Sequence, residues 1–562
     1  MKVKEFLLIK VKLIHCLSLF IVVSFFYNVN AQTVSTWLTV GDKSILFKEQ
    51  PKIDFSKISG SNSSVISINK AMSYQSIDGF GYCLTEGSAE VLAGLDSIPQ
   101  NNLLRTFFDT VTGIGVSVLR ISIGASDLSS SNYSYNDVSS DANLVHFSLS
   151  GPDSVYLIPV LKKILAINSS IKILATPWSA PKWMKTNKAW IGGSLDPACY
   201  AVYASYFVKY LNAMKSLGVE VWAITPQNEP KNPNNEPSMV MTSTEQTKFI
   251  NNNLGPAIRN AGYSTKILAY DHNCDDTDYP TSVCKNSEYV DGAAFHLYAG
   301  NISALSTIHY ATGKNVYLTE QYTASSGSFS GDLSWHLENV MIGSILNWSK
   351  AAIEWNFAAN ASFGPRTPSG CSICLGAATV NSSASYDLNV SYYIVAHLSK
   401  IVKPGAVRIS SVSTNADLKN IAFKNPDGSY ALVVHNKGAN SAVFSVKFGS
   451  AYFSYTLKPA SVASFVWKDN PVTAFIGDFF GKQNDIVLSP NPSSNFFNVS
   501  LKNQSTFTEC IVFDLMGKVV IRKILKGSAN STIINTGELS TGAYILQLKG
   551  NNIFSYTKFV KN

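Results

Sequence analysis

Between Met72 and about Lys400, short apolar runs alternate with longer segments of helical period. The runs are Ile77–Thr85, Val116–Ile123, Ile171–Thr176, Val219–Thr225, Thr265–Tyr270, Asp291–Tyr298, Asn315–Thr319 and Ala351–Phe357. Their near-continuous apolar character is that of strands in a parallel sheet covered by helices. Among the intervening segments, Tyr203, Tyr206, Phe207, Tyr210, Leu211, Met214 and Leu217 recur on one helical face, and Gly218 supplies a stop. Ser243-Thr244-Glu245-Gln246 predicts a capping box ahead of Phe249 and Ile250. Eight strand–helix units predict an α/β fold, a (β/α)8 barrel over residues 72–400.

The pattern changes on both sides of that region. Residues 32–71 and 401–468 alternate apolar and polar positions, above all in Thr33–Asn69 and Val407–Trp467, with turn signals such as Asn425-Pro426-Asp427-Gly428. Residues 469–484 read as a linker. In 485–562, runs such as Ile486-Val487-Leu488, Val512-Phe513-Asp514-Leu515-Met516-Gly517-Lys518 and Ala543-Tyr544-Ile545-Leu546 predict a small all-β domain.

At the start, Lys2, Lys4, Lys10 and Lys12 precede an apolar run from Leu13 to Phe26, and Val29-Asn30-Ala31 follows. The run is shorter than the roughly 20 residues a membrane span needs, so 1–31 reads as a secretory signal cleaved after Ala31. Later segments are not apolar enough to span. The formal net charge of +8 includes four lysines and Glu5 in that signal, and no Lys/Arg run follows, which argues against a nucleic-acid partner. For an exported chain, Cys274 with Cys284 and Cys371 with Cys374 are candidate local disulfides. Cys83, Cys199 and Cys510 read as small buried hydrophobes. A second ligand pair for zinc is lacking, so neither metal nor cofactor is expected.

The chemistry lies at the strand ends. Val219–Thr225 continues into Pro226-Gln227-Asn228-Glu229-Pro230, and Asn315–Thr319 ends at Glu320. A carboxylate buried there without a partner costs several kcal/mol or shifts its pKa, so each is expected to face a pocket. Barrel enzymes carry catalytic groups at the carboxyl ends of their strands. Other strand ends bear Thr85-Glu86, Arg120 with Asp127, Trp178, Asp271-His272, His296 with Tyr298, and Trp355-Asn356. Such a rim suits a polyhydroxylated ring, and two glutamates suit glycoside hydrolysis, with Glu229 as acid/base and Glu320 as nucleophile. Asn228 is placed to bind the sugar 2-hydroxyl, and burial is expected to keep the acid protonated. Bland readings remain beside these. His296 is equally a core histidine, Trp178, Trp183 and Trp355 are core candidates as well as sugar platforms, and Arg120 with Asp127 is equally a structural ion pair.

Taken together, Ile77-Asp78-Gly79-Phe80-Gly81, Leu119-Arg120-Ile121-Ser122, Ala175-Thr176-Pro177-Trp178-Ser179-Ala180-Pro181-Lys182-Trp183-Met184-Lys185, Thr225-Pro226-Gln227-Asn228-Glu229-Pro230 and Leu318-Thr319-Glu320 resemble glycoside hydrolase family 30. The resemblance runs from about Ile77 to Trp467. It implies retention through a covalent glycosyl-enzyme without metal, with acid/base Glu229, nucleophile Glu320, and substrate contacts at Asp127, Trp178, Asn228, His296, Tyr298 and Trp355. To these the rim chemistry adds Arg120. The resemblance further implies that both flanks form a companion β-sandwich; a separate carbohydrate-binding module is the alternative. The segments 370–376 and 402–408 resemble the β-1,6-glucanase branch, and the loop between Pro230 and Thr242 is short beside that of the lysosomal glucosylceramidase. A β-1,6-glucanase is therefore expected, with glucosylceramidase and a non-catalytic glycan-binding surface protein as alternatives, so the substrate is a β-glucan or a glucosyl-lipid. The C-terminal segment resembles the sorting domain of type IX secretion. It implies that secretion machinery is a partner and that the product is secreted or held at the cell surface; a sugar-binding module is the alternative.

Overall fold

The computed structural model describes residues 33–56, 64–468, 486–501, 506–515, 518–550 and 554–562. The expected signal (1–31) and linker (469–484) lie outside the described residues, as do Met516 and Gly517 of the C-terminal motif. Eight parallel strands close into a barrel in sequence order: β1 (Gly79–Leu84), β2 (Val118–Ser122), β3 (Lys172–Thr176), β4 (Val221–Ile224), β5 (Lys266–Cys274), β6 (Val290–Gly300), β7 (Asn315–Glu320) and β8 (Ser349–Asn356). These are the eight runs read from the sequence, so the barrel is borne out.

Strand alternation sorts the barrel's side chains. Leu119, Ile121, Ile173 and Ala175 face outward into the layer shared with the helices. The inward positions are apolar low in the barrel, where Val118, Leu174, Ala223, Ala294 and Tyr317 pack together. Two residues further along the same strands stand Arg120, Thr176, Thr225, His296 and Thr319, all buried. One period-2 step thus turns an apolar plug into a polar floor beneath the rim.

The helix Tyr200–Ser216 buries Tyr203, Tyr206, Phe207, Tyr210, Leu211 and Met214, and burying a side chain of this size stabilises by about 1.5–3 kcal/mol. Gly218 follows at φ +80°, a left-handed conformation that glycine adopts without strain. The predicted capping box exists one residue earlier than expected. Thr242 caps the helix Ser243–Phe249, and the Glu245 side chain accepts from the Thr242 N–H at 2.7 Å.

Both flanks of the barrel enter one nine-stranded sheet, in the order Lys48–Asp54, Thr33–Val40, Ser461–Lys468, Ser429–Asn436, Leu418–Lys424, Val407–Ser413, Ser64–Ser76, Ala442–Phe448 and Ala451–Leu457. Phe55, Phe444, Phe453, Phe465 and Trp467 build its separate core. The helix Val390–Ser399 joins it to the barrel through His397, whose Nδ1 lies 2.7 Å from Ser464 Oγ and whose Nε2 lies 2.8 Å from Thr39 Oγ1.

The C-terminal unit has two antiparallel sheets. One contains Ile486–Ser489, Phe496–Leu501 and Ser531–Asn535; the other contains Phe507–Phe513, Val519–Ala529, Gly542–Lys549 and Phe554–Lys561. Phe497, Phe507, Cys510, Val512, Leu546 and Phe559 fill the space between them. Among the described residues, no helix is long and apolar enough to cross a membrane.

Candidate active site

Glu320 is the last residue of β7, and Glu229 stands five residues beyond β4, on opposite sides of one cleft of about 450 Å³. Their carboxylate oxygens and a ring nitrogen of His296 lie within 4.8 Å of one another. The backbone that presents Glu229 is held on both sides: the Asn228 N–H donates to the Pro177 carbonyl at 2.8 Å, and the Glu229 N–H to the Asp271 carbonyl at 2.9 Å. Glu229 itself has φ +45°, a left-handed conformation that disfavours a residue with a Cβ and persists only where its surroundings enforce it.

A charged network lies below the pair. Arg120, fully buried on β2, donates through one terminal nitrogen to Glu320 Oε2, and through the other to Asn228 Oδ1 at 2.6 Å and Asp271 Oδ2 at 3.0 Å. Asp271 reaches this position through an irregularity in β5, where Tyr270 and Asp271 both have positive φ and the register shifts. It also receives the hydroxyls of Thr225 and Thr319 at 2.8 and 2.7 Å. Burial opposes ionisation of Asp271, but Arg120 and His296 outweigh it and hold the carboxyl well below the ordinary range.

His296 bridges the whole arrangement. Its Nε2 lies 3.1 Å from Asp271 Oδ1, and its Nδ1 lies 3.1 Å from Glu229 Oε1 and 3.6 Å from Glu320 Oε1. Burial disfavours the imidazolium, yet the Glu320 charge and the bonds to Asp271 and Glu229 push its pKa up to about 10. Burial likewise pushes Glu229 up, but the His296 and Asn232 hydrogen bonds more than compensate, so its pKa is lowered. Glu320 is raised, mainly by burial, against the opposing charges of His296 and Arg120. The Tyr298 hydroxyl donates to Glu320 Oε1 at 2.9 Å. Asp127 is pushed up to about 7 by burial and then by the charge of Glu320. The trio Glu229, His296 and Glu320 is also a geometric candidate for holding a cation. These donors are engaged with one another and with Arg120: Arg120 donates to Glu320, and His296 Nδ1 lies 3.1 Å from Glu229 Oε1.

The expected substrate contacts divide into two groups. Asp127, Tyr298 and Trp355 line the cleft with both glutamates. Arg120, Asn228, His296 and Trp178 stand behind it. Trp178 is no sugar platform, because its ring is buried, 5.5 Å from that of Trp355 and 4.7 Å from the Arg120 guanidinium. Trp183 donates from its indole to the Asn136 carbonyl at 2.9 Å and packs on the core. Arg120 and Asp127 are not the ion pair considered from sequence, since Arg120 pairs with Asp271 and Glu320. Asn232, Asn273 and Tyr322 also line the cleft and carry no signal in the sequence: Asn232 and Tyr322 lie on loops without periodicity, and Asn273 lies in the irregular end of β5, where the alternation is broken. The Cys371–Cys374 disulfide forms and lies in the cleft wall. The Cys274–Cys284 bridge does not form: both are free thiols packed as apolar groups in the barrel core, where burial raises their pKa.

The glycosyl hydrolase family 30 TIM-barrel domain matches residues 77–402. This chain belongs to glycoside hydrolase family 30. The family's β-sandwich domain matches 405–465, and a secretion system C-terminal sorting domain matches 488–562. The chain is 36% identical to the endo-1,6-beta-D-glucanase of Neurospora crassa over 394 residues, 66% of this chain and 81% of that protein. It is 26% identical to the lysosomal acid glucosylceramidase of Mus musculus over 431 residues, 72% of this chain and 83% of that protein. A solved endo-beta1,6-glucanase superposes with a TM-score of 0.74 at 37% identity, covering 78% of this chain and 100% of the other. The chain is thus a family 30 glycosidase bearing a type IX sorting domain for export.

Proposed function

We propose that the chain is a secreted, retaining β-1,6-glucanase. The observation that carries the substrate is the composition of the cleft wall. The segment that follows Glu229 lines the cleft with Lys231, Asn232, Asn234 and Asn235, joined by His272 and Asn273, and among the described residues that line it Pro233 is the one aliphatic side chain. A sugar leaving group finds hydrogen-bonding partners there. A ceramide would forgo about 0.8 kcal/mol for each CH₂ that stays in water.

The mechanism follows from the pair. One oxygen of each carboxylate comes within 4.8 Å of the other, a close approach in keeping with the retaining class, whose carboxyl groups are about 5–5.5 Å apart. Glu320, held by Arg120 and Tyr298, attacks the anomeric carbon while Glu229 protonates the departing oxygen. In the second half, Glu229 takes a proton from water, which then releases the sugar from Glu320. Arg120 donates to Asn228 Oδ1, which holds the residue that precedes the acid/base in place.

The resting electrostatics run opposite to these roles, with Glu229 lowered and Glu320 raised. His296 supplies the acid's proton. Its Nδ1 faces Glu229 Oε1 at 3.1 Å, so the imidazolium can pass its proton to Glu229 while Glu320 stays ionised beside Arg120. That leaves the acid neutral and the nucleophile ionised with no change in total charge.

The test is reducing sugar released from β-1,6-glucan and glucose released from glucosylceramide, by the wild type and by Glu320→Gln. Release from the glucan by wild type alone is expected. Release only from glucosylceramide would overturn the substrate, and equal behaviour of the two proteins would overturn the nucleophile.

A further inference from the structure

The Cys371–Cys374 disulfide closes a turn whose ends are fastened to two different walls of the cleft. On one side the turn backs onto Asp127. The Cys371 N–H donates to Asp127 Oδ2 at 3.4 Å, and the Thr367 N–H donates to the Asp127 carbonyl at 2.9 Å. Gly370 lies so near that carbonyl that a Cβ would meet its oxygen at 2.1 Å, so the approach requires glycine. On the other side the turn joins the segment that follows Glu320. Cys374–Leu375 pairs with Thr323–Ala324, and the Ser325 N–H donates to the Ile373 carbonyl at 2.8 Å.

Asp127 is a buried carboxylate in the cleft wall, and the Cys371 amide faces it. At 3.4 Å that contact is long, which leaves the carboxylate free to accept a shorter bond from a sugar hydroxyl. Opening the disulfide returns backbone freedom to the turn that carries this amide. The wall and the Glu320 segment would then move independently.

We propose that the Cys371–Cys374 disulfide is a positioning element for substrate binding: it locks the 371–374 turn between the Glu320 segment and the Asp127 wall, fixing Asp127 to receive a hydroxyl of the glucosyl unit. The inference rests on reading the cleft as a glucan site with Asp127 as a sugar contact.

The experiment compares wild type, Cys371→Ser/Cys374→Ser, Asp127→Ala and the triple variant on β-1,6-glucan, with the native fold checked by near-ultraviolet circular dichroism. The disulfide-free enzyme is expected to stay folded and lose about tenfold in kcat/KM, mostly through KM, because misplacing a binding group by an ångström can cost up to about a hundredfold. Asp127→Ala is expected to lose at least as much, and the triple variant no more than Asp127→Ala. Unchanged kcat/KM without the disulfide, or losses that multiply in the triple variant, would overturn the proposal. An inactive wild type would instead count against the glucan site itself, and full activity in Asp127→Ala against Asp127 as a sugar contact. If the double serine variant fails to fold, the native enzyme is reduced with a phosphine and its thiols counted by mass after alkylation. Unchanged KM on full reduction would then overturn the proposal, and a KM rise absent from Asp127→Ala would support it.

Discussion

His296 Nδ1 lies 3.1 Å from Glu229 Oε1, while the opposite ring nitrogen lies 3.1 Å from Asp271. The ring is fully buried, so its charge is governed by these carboxylates and by Glu320 rather than by solvent. Asp271 orients the imidazole, and the imidazole lowers the pKa of both glutamates against the effect of their burial.

His296 therefore links catalysis to stability. Its pKa rises from an ordinary value of about 6.5 to about 10, so its protonation stabilises the fold fully below about pH 6.5, and that stability is lost as pH rises through about 10. Between those values the melting temperature of the wild type should fall more steeply than that of His296→Gln. Parallel curves would refute the assignment. With its proton route removed, His296→Gln should also lose about 10²-fold in kcat.

Glu229→Ala should lower kcat on β-1,6-glucan by about 10²–10⁴. On an aryl glucoside whose leaving group needs no proton, bond cleavage should be nearly unaffected, and azide should accelerate turnover by replacing water in the second half. Equal losses on both substrates would count against an acid/base role for Glu229.

Arg120→Met leaves Asp271 and Glu320 buried without their cation. Removing one partner of a buried ion pair destabilises by about 3–5 kcal/mol, which denaturant unfolding should read directly. Arg120→Lys should recover only part of this, because one ammonium cannot reproduce the fork that reaches Glu320, Asn228 and Asp271. A fully stable Arg120→Met would show that the network is not needed for the fold.

At the junction of barrel and sheet the sign is reversed. Burial lowers His397 to about 3 and His435 to about 4, so both are neutral in the fold. Their neutral state contributes stability above about pH 6.5 that is lost as pH falls through those values, because the unfolded chain takes up protons first. His397→Gln should flatten the acid limb of the stability curve. A limb that keeps its slope would assign acid unfolding to other groups.

Much of this was legible in the sequence. The eight barrel strands were readable because each is a buried apolar run, and Glu229 and Glu320 stood out because carboxylates followed two such runs. The division between cleft and floor was not, because Trp178 and Trp355 both follow or end strands, and only the folded packing, with the rings 5.5 Å apart and Trp355 alone of the two lining the cleft, decides which meets it. Asp271 was visible as a strand-end residue, but its grip on Arg120 and His296 depends on the local irregularity of β5. Nearness in sequence misled at Cys274 and Cys284, which the fold uses as packing groups in the barrel core.

The most direct test of the retaining β-1,6-glucanase is proton magnetic resonance of the sugar first released from a β-1,6-linked glucan. A double displacement at Glu320 predicts that the β-anomer appears first and the α-anomer only later, by mutarotation. The α-anomer appearing first, or no cleavage of the glucan at all, would contradict the account.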